Sequence, residues 1–501
     1  MRILQVATAG GLLAFVSGVQ APAQPAVLPS QTALPAAVPT TSASATAVPT
    51  TLASAAPAAG NSATPSPEPS GAAAPQVAPV GTIPKNLSLE ITGKPAEPDF
   101  LESRIEAALN EAIGPTLQPG LKMTVGPILP SLQPLAAGFL RTVSVPVELV
   151  EASGSVALAG RTDVTLTNVD AWAFEPPVLF FDDDPEKIVS DGVLFRGTVD
   201  TTRPVRLYYY HEDAGTPHGV VVALWARSAP ARVQIIQSES GPNVDVMSVG
   251  HAASRDFLIV QPKGEGIVTK VEAGKLYAVR DSLVPVSQVV AGVVDLHVLS
   301  GGPLDVLAIA LQPGADPAQY VEAAVLPDDG HHRHGKFDVG GYGDATIAYS
   351  AGGPDASYTY GGSDSTPLSV ATYGGRDRGD YGVLHQLTFD LSNPTSSAAT
   401  LYLYEKPHGA AVRSSFLVDG NLKEIDCVRV PQRYEIASYV VPPGASVTIS
   451  VATMTDGGSS YPLEIGISAT PPVAQPPPQS APDGCFPKPA PSGSPPAANA
   501  R

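Results

Sequence analysis

Residues 192–210 read GVLFRGTVDTTRPVRLYYY, and residues 382–404 read GVLHQLTFDLSNPTSSAATLYLY. Both stretches begin with Gly-Val-Leu, and both carry an aspartate and then a proline at the same distances from that start. Each then runs into a block rich in leucine and tyrosine, which are residues that β-strands favour. The shared order and spacing predict that one β-rich unit occurs twice in the chain.

Three further blocks follow in the same order in both copies. The pairs are Pro217-His218-Gly219 with Pro407-His408-Gly409, Tyr277–Pro285 with Tyr434–Pro442, and Gly301–Val306 with Gly457–Ile465. Each block alone is ordinary strand or turn sequence. Two unrelated sandwiches of similar composition therefore remain the alternative to a duplication.

The two copies differ in length near their middles. Tyr208 and Tyr277 are 69 residues apart, whereas Tyr402 and Tyr434 are only 32 apart, which leaves 37 extra residues in the first copy. We expect Trp225 and residues 241–257 to lie in this insertion, as two extra strands or as a long loop. Because loops on a rigid sandwich often bind ligands, the insertion is a candidate binding region, with simple structural divergence as the alternative.

The fold class follows from working outward from these blocks. Short apolar runs separated by Gly, Pro, Asp and Ser predict a mostly β protein with two tandem β-sandwich domains, immunoglobulin-like or jelly-roll-like. We place the first sandwich at residues 176–327, a linker at 328–337 and the second sandwich at 338–470.

A small α+β domain is predicted before the sandwiches, at residues 83–175. Asp99 and Glu102 have the spacing of a capping box, which predicts a helix with Asp99 as its N-cap. Leu101, Ile105 and Leu109 recur at helical spacing and predict the buried face of that helix.

Both ends of the chain have compositions that differ from the middle. Residues 1–23 combine Arg2, an apolar run and Ala21-Pro22-Ala23, which predicts a signal peptide. Residues 24–82 are mostly Ala, Pro, Thr and Ser, which predicts a disordered spacer of extended geometry. Residues 471–501 predict a similar Pro-rich tail. The expected location is therefore secreted or in the cell envelope, periplasmic or extracellular.

Charge excludes some classes of partner. The chain has 47 acidic and 29 basic side chains, for a formal net charge of −18. Nucleic acids and anionic membrane surfaces attract basic proteins, so neither is an expected partner. After the initial segment, no run reaches the ~18 apolar residues of a membrane-spanning helix, so we expect no membrane insertion after signal cleavage.

Two groups of side chains are candidate metal ligands. Residues 328–334 read DDGHHRH, and Asp329, His331, His332 and His334 have the nitrogen and oxygen donors that zinc, copper or nickel prefer, with a solvated linker as the alternative. Asp182-Asp183-Asp184 offers oxygen ligands for calcium, but it lacks the spacing of a calcium loop, so a charged turn is the alternative. No other cofactor is predicted.

The remaining motifs do not indicate an enzyme. No nucleophile elbow, zinc-protease helix, P-loop or dinucleotide-binding loop occurs. Arg378-Gly379-Asp380 spells an adhesive tripeptide in a predicted exposed loop. His218 and His408 have the same neighbours, which is suggestive of a shared site, but a turn position that tolerates histidine is the favoured interpretation.

These observations favour a non-catalytic secreted or envelope protein whose sandwiches act as structural or adhesive binding modules. Its expected partner is a polymer or protein of the cell envelope. One alternative is a carbohydrate-binding module or glycan-active hydrolase, in which Trp225, Tyr208 and Tyr210 stack against sugars. A second alternative is a metal-binding envelope protein. The ligand and the oligomeric state stay open.

Cys427 and Cys485 are the two cysteines of the chain, and an oxidising compartment predicts that they form a disulfide, with two free thiols or bonds to other chains as the alternatives. Non-reducing peptide mapping of the secreted protein should recover both cysteines in one cross-linked peptide. The Cys485→Ser variant should lower the free energy of unfolding, by up to ~4 kcal/mol on a loop-entropy estimate. Recovery of both cysteines as alkylated thiols would exclude the bond.

Overall fold

The computed structural model describes residues 80–171, 175–329, 333–362 and 379–474. The predicted signal peptide, nearly all of the spacer, most of the Pro-rich tail, Cys485, His331 and His332 lie outside these residues. Within them the chain is mostly β, with two α-helices and four sheets. Neither helix is long and apolar enough to span a membrane.

The first unit has one helix packed against strands. Its elements are β1 (Asn86–Thr92), α1 (Pro98–Ile113), β2 (Lys122–Val125), β3 (Leu140–Val150) and β4 (Val156–Asn168). Leu101, Ile105 and Leu109 are buried in α1 as predicted, and they join a core with the valines of β3 and β4.

The predicted capping box of α1 is wrong. The helix begins at Pro98, and Glu97 is its N-cap residue without a side-chain hydrogen bond, so Asp99 lies inside the first turn. Proline suits the first helical position because its fixed φ matches the helix and its missing N–H would have no partner there.

The first sandwich follows directly, and one of its sheets continues into the first unit. Its elements are β5 (Val178–Asp183), β6 (Lys187–Ile188), β7 (Gly192–Val199), β8 (Val205–Asp213), β9 (His218–Trp225), β10 (Ala231–Asn243), α2 (Val246–Val260), β11 (Gly266–Val271), β12 (Leu276–Val284), β13 (Val289–Gly301) and β14 (Leu304–Leu311). One sheet has the order β5-β8-β13-β10-β11 and the other β12-β9-β14-β7. Because β11 pairs with β1, the larger sheet runs on through β1-β4-β3-β2.

The second sandwich repeats the topology of the first. After β15 (Arg333–Asp338), its strands are β16 (Asp344–Ser350), β17 (Ala356–Tyr360), β18 (Leu384–Ser392), β19 (Ala399–Pro407), β20 (Ala411–Val418), β21 (Asn421–Arg429), β22 (Tyr434–Val441), β23 (Ser446–Met454) and β24 (Leu463–Ser468). They form sheets of order β16-β18-β23-β20-β21 and β17-β24-β19-β22. With β6 set aside, these orders match those of the first sandwich strand for strand. Two tandem β-sandwiches are therefore confirmed.

The match extends to individual backbone hydrogen bonds. At the end of β8 the Ser287 N–H donates to the Asp213 carbonyl at 2.7 Å, and at the end of β18 the Gly444 N–H donates to the Asn393 carbonyl at 2.7 Å. Ser287 and Gly444 also share a positive φ, 62° and 70°. Such detail at one turn supports descent from a single duplicated unit.

Three of the five sequence blocks are aligned wrongly. The blocks at Tyr277 and Gly301 do fall on equivalent strands, β12 with β22 and β14 with β24. The block of β7 was matched to β18, and that of β8 to β19, each one strand too late. His218 begins β9 whereas His408 follows β19, so these two histidines are not equivalent.

The insertion of the first copy is a helix rather than extra strands or a long loop. Residues 244–265 separate β10 from β11 and contain α2, whereas only residues 419–420 separate β20 from β21. Trp225 lies outside the insertion, in strand β9, which both copies possess. The helix escaped prediction because its sequence is apolar around much of its circumference and contains Gly250.

The predicted linker at residues 328–337 is partly a strand. Residues 333–338 form β15, which pairs antiparallel with β5 and extends the larger sheet of the first sandwich. Phe337 explains the pairing, because its side chain is buried and packs with Phe181 of β5. Burial of the apolar Phe337 side chain therefore holds residues 333–338 against the sheet, although the charged residues next to them had suggested a solvated linker.

One core position differs in chemistry between the copies. Leu224 of β9 lies opposite Val306 of β14, and Glu405 of β19 lies opposite Ile465 of β24. Since Val306 and Ile465 are equivalent in the duplicated strands, a buried glutamate replaces a core leucine. Glu405 is fully buried, and among the described residues its carboxylate has only a weak contact with the Ser414 hydroxyl, which does not compensate for burial. Burial raises the pKa of Glu405 to about 8.

Replacing Glu405 by leucine should stabilise the second sandwich in a pH-dependent way. The folded protein binds the Glu405 proton more tightly than the unfolded chain, so the native side chain costs nothing extra below pH ~4.5, and the cost grows as the pH rises towards ~8. Urea unfolding at pH 5, 6.5 and 8 should show a stability gain for Glu405→Leu that increases with pH.

The Glu405→Gln variant is the control, because it removes the titration and keeps the shape. In Glu405→Gln, as in Glu405→Leu, the free energy of unfolding should no longer contain the pH dependence that comes from the titration of Glu405. A gain that is equal at all three pH values, or a loss of stability for Glu405→Leu at pH 8, would show that Glu405 does not carry this cost.

Candidate functional site

The candidate site is centred on helix α2, which is the element that the second sandwich lacks. Asp245 caps it, accepting a hydrogen bond from the Ser248 N–H at 3.1 Å. Val249, Ala253 and Phe257 recur at i, i+4 and i+8, which gives the helix a continuous buried stripe.

This helix is packed between the two sandwiches. On one side it contacts β10 and β13 of the first sandwich, and on the other β20 and β23 of the second. One cluster of buried side chains draws on all three parts, and its members include Phe181, Tyr208 and Val289 of the first sandwich, Val249 and Phe257 of α2, and Val383, Leu384 and Met454 of the second. We call this region the junction.

A glycine contact brings two backbones together at the junction. A Cβ atom added to Gly250 would clash with the carbonyl oxygen of Gly457, in the turn between β23 and β24. Gly457 in turn lies against the rings of Tyr208 and Tyr210. Small residues are therefore required on both sides for α2 to reach this turn.

Ion pairs surround the glycine contact. His251 of α2 has its Nδ1 2.7 Å from Asp456 Oδ2 and its Nε2 3.1 Å from Glu424 Oε1. Burial alone would lower the pKa of His251, but the Asp456 and Glu424 carboxylates outweigh burial and raise it. Arg413 of β20 reaches the start of α2, donating to Ser248 Oγ and lying 3.4 Å from Asp245 Oδ2.

A buried arginine closes the junction at its other end. The Arg206 guanidinium donates to Asp295 at 2.7 and 3.0 Å and to Glu175 at 2.8 and 3.2 Å. Its Nη1 also donates to the Gly382 carbonyl at 3.3 Å, next to the start of β18, and its Cζ lies 4.8 Å from the Phe257 ring. One side chain thus binds the first sandwich, α2 and the second sandwich.

The aromatic rings that were predicted to stack against sugars are buried in the structure. Tyr208 and Tyr210 are 2% and 7% exposed and belong to the junction, and Trp225 is 7% exposed beneath the Arg227 guanidinium. A ring must present a face to solvent to stack against a sugar. The structure therefore does not gather these three residues into an accessible site, because both faces of the sheet that holds the tyrosines are covered.

The adhesive tripeptide is also inaccessible at its aspartate. Asp380 is 1% exposed, and its carboxylate accepts hydrogen bonds from the Tyr342 hydroxyl at 3.2 Å and the Gly361 N–H at 2.8 Å. Arg378 lies outside the described residues. Since recognition by an adhesion receptor needs the aspartate at the surface, Asp380 is not available for such a contact in this structure.

The two predicted metal motifs are brought together. His334 Nδ1 lies 2.8 Å from Asp184 Oδ2, and one donor atom from each of Asp184, Asp328 and His334 lies within 4.8 Å of the others. Asp329 contributes its backbone N–H to Asp184 at 3.0 Å. Of the predicted ligands, His334 is placed in the cluster, whereas His331 and His332 lie outside the described residues.

Cys427 is buried on β21, beside Met247 of α2 and Ala411 of β20. Cys485 lies outside the described residues, so the disulfide between them stays a prediction.

Sequence reasoning missed the junction itself. Its one local signal was the Asp245–Ser248 spacing, which is a capping pattern that precedes an apolar run.

Comparison with known proteins gives no family. No family model matches the chain, and no curated protein matches it. Similar solved structures include Lac15 from a marine microbial metagenome, with 14% identity over 66% of this chain and 72% of that chain and a TM-score of 0.11. The exported protein XepA of PBSX has 12% identity over 56% of this chain and 86% of that chain, with a TM-score of 0.14.

A carbohydrate-binding module of the β-sandwich superfamily is a third similar structure. It has 9% identity over 38% of this chain and 86% of that chain, with a TM-score of 0.11. Similarities this low carry no argument about function.

Gly250→Ala should lower the stability of the protein although alanine is the better helix former. Alanine favours an exposed helix by ~1 kcal/mol over glycine, but here the added methyl group meets the Gly457 backbone, and overpacking of this kind costs ~1–3 kcal/mol. Gly114→Ala is the matched control, because a Cβ there has nothing within 4 Å. Calorimetry should show a lower Tm for Gly250→Ala alone; equal Tm values would contradict the close contact.

Proposed function

We propose that the chain is a non-catalytic structural or adhesive binding protein, secreted or held in the cell envelope, whose two sandwiches act as one rigid body. The observation that carries this proposal is the junction, where α2 is buried between both sandwiches. Tandem modules on a flexible linker turn independently of one another, whereas these two share a core. A fixed arrangement suits a protein whose task is to hold or bridge a surface.

Rigidity affects binding through entropy. When two binding surfaces are held at a fixed separation, the second contact costs little further ordering. A partner with a repeating structure, such as an envelope polymer or a protein lattice, presents matching sites at fixed spacing. The rigid junction therefore favours a binding partner with a repeating structure in the cell envelope.

The polar interior also supports a structural role. Buried charged groups at the junction are paired with one another, as in Arg206 with Asp295 and His251 with Asp456. Groups that are engaged in this way fix the relative orientation of the elements that carry them, and breaking such a pair leaves an uncompensated buried charge. The glycan-binding alternative gains no comparable support, because its three candidate rings are buried.

The predicted signal peptide and Pro-rich segments supply the proposed location. They predict export and a spacer that holds the folded part away from its anchor point. Fractionation of cells that express the intact chain should place the protein in the envelope or the medium, without residues 1–23 at its N-terminus. Retention in the cytoplasm with an intact N-terminus would contradict export.

Binding is tested with the fluorescently labelled mature protein on intact cells and on purified envelope polymer. The unaltered protein should bind saturably, and Gly250→Ala, which loosens the junction, should bind more weakly, by about tenfold or more if avidity depends on rigidity. Gly114→Ala should bind like the unaltered protein. Folded protein that binds none of these surfaces, or that degrades the polymer, would overturn the proposal.

A further inference from the structure

Two short motifs that lie 150 residues apart in the sequence meet at one end of the first sandwich. β5 leads into Asp182-Asp183-Asp184, and β15 carries His334 directly opposite Asp182. Residues that face each other across antiparallel strands share a side of the sheet, and so do residues two apart along a strand. Asp182, Asp184 and His334 are therefore expected on one side.

Interatomic distances confirm that a cluster forms there. His334 Nδ1 is 2.8 Å from Asp184 Oδ2, and a carboxylate oxygen of Asp328 completes a set whose donor atoms all lie within 4.8 Å of one another. The Asp329 N–H donates to Asp184 Oδ1 at 3.0 Å and so fixes the orientation of that carboxylate. Asp184 is buried, His334 is half-buried and Asp328 is exposed, which leaves the cluster open to solvent on the Asp328 side.

A second observation at the same end concerns Asp182. Its side chain is fully buried, and Oδ2 lies 3.1 Å from His211 Nε2, while Oδ1 has no hydrogen-bond partner among the described residues. His211 Nδ1 is held by the Pro185 carbonyl at 3.0 Å, so the ring cannot turn to serve both oxygens. A buried carboxylate oxygen without a partner is costly, and a nearby cation reduces that cost.

We propose that Asp184, Asp328 and His334 bind a divalent transition-metal ion of the zinc type. One imidazole nitrogen and two carboxylate oxygens are donors that such ions accept, and solvent on the Asp328 side supplies the fourth ligand. Tetrahedral ligands of zinc stand about 3.3 Å apart, so the His334–Asp184 contact opens by about 0.5 Å and Asp328 moves inwards. Calcium takes six to eight oxygen ligands, which three residues including a histidine do not provide.

The ion would connect three segments of the chain. Asp184 follows β5, Asp328 lies in the connection after the first sandwich, and His334 lies on β15, just before the second sandwich. Binding therefore fixes the segment through which the chain passes from one sandwich to the next. This consequence is separate from adhesion, so the metal site stands or falls independently of the proposed function.

Isothermal titration of the intact, untagged protein with zinc chloride tests the site. We expect one ion per chain, with affinity at least ~100-fold weaker in Asp184→Asn and in His334→Gln, since each variant removes one of three protein ligands. Asp338→Asn is the matched control on the same strand, because its carboxylate is exposed and pairs with Arg203 instead. Circular dichroism of each variant establishes that it is folded.

A double variant separates this site from the histidine run read from the sequence. Replacing His331 and His332 by glutamine should leave zinc affinity within a few-fold of the unaltered protein. In addition, zinc should slow amide exchange in residues 327–336 of the unaltered protein and not of His334→Gln. Loss of binding in the double variant, retained binding in both ligand variants, or no binding of zinc at all would overturn the proposal.

Discussion

Burial of α2 between two β-sandwiches is the contact on which the rest of the described structure depends. A sandwich of this topology is complete without the helix, as β16 to β24 show. If the second sandwich were absent, Tyr208 and Tyr210 of β8 would lose Tyr381 and Gly457 as neighbours, and this part of the junction would be exposed. Fully burying one large apolar side chain contributes ~1.5–3 kcal/mol, so a cluster drawn from all three parts outweighs the entropy of a flexible connection.

The junction also explains where the chain places its polar groups. Arg206 is fully buried at a site where it satisfies Asp295, Glu175 and a carbonyl of the second sandwich. Buried ion pairs add little net stability over apolar packing, but they are specific in geometry. Apolar burial therefore holds the two sandwiches together, while Arg206, His251 and Arg413 fix their relative orientation.

Much of the fold could be predicted from the sequence, because short apolar runs separated by Gly, Pro, Asp and Ser indicate sandwich strands without information on distant partners. Strands of similar composition also explain the misaligned blocks, because the sequence of β7 resembles that of β18 more closely than that of its structural equivalent β17. Turn chemistry was the more reliable guide. Pro285 and Pro442 identified equivalent turns, since the backbone there needs particular residues.

The junction and the metal cluster were harder to foresee, for a shared reason. Asp184 and His334 meet only because β15 pairs with β5, a contact that no local spacing encodes. Tyr208 and Tyr210 were candidates for ligand stacking because alternate residues of a sandwich strand point to the outer face of the sheet, which is often exposed to solvent. That face is covered by α2 and Tyr381. Because these residues are distant in the chain, the sequence of the strand itself gives no signal that its outer face is covered.

Hydrogen exchange during urea unfolding of the intact protein tests the shared core most directly. Peptides from β9 report on the first sandwich, and peptides from β19 report on the second. If the junction makes the two sandwiches one cooperative body, both peptides lose protection at the same urea concentration. Loss of protection in one sandwich while the other stays native would contradict the account.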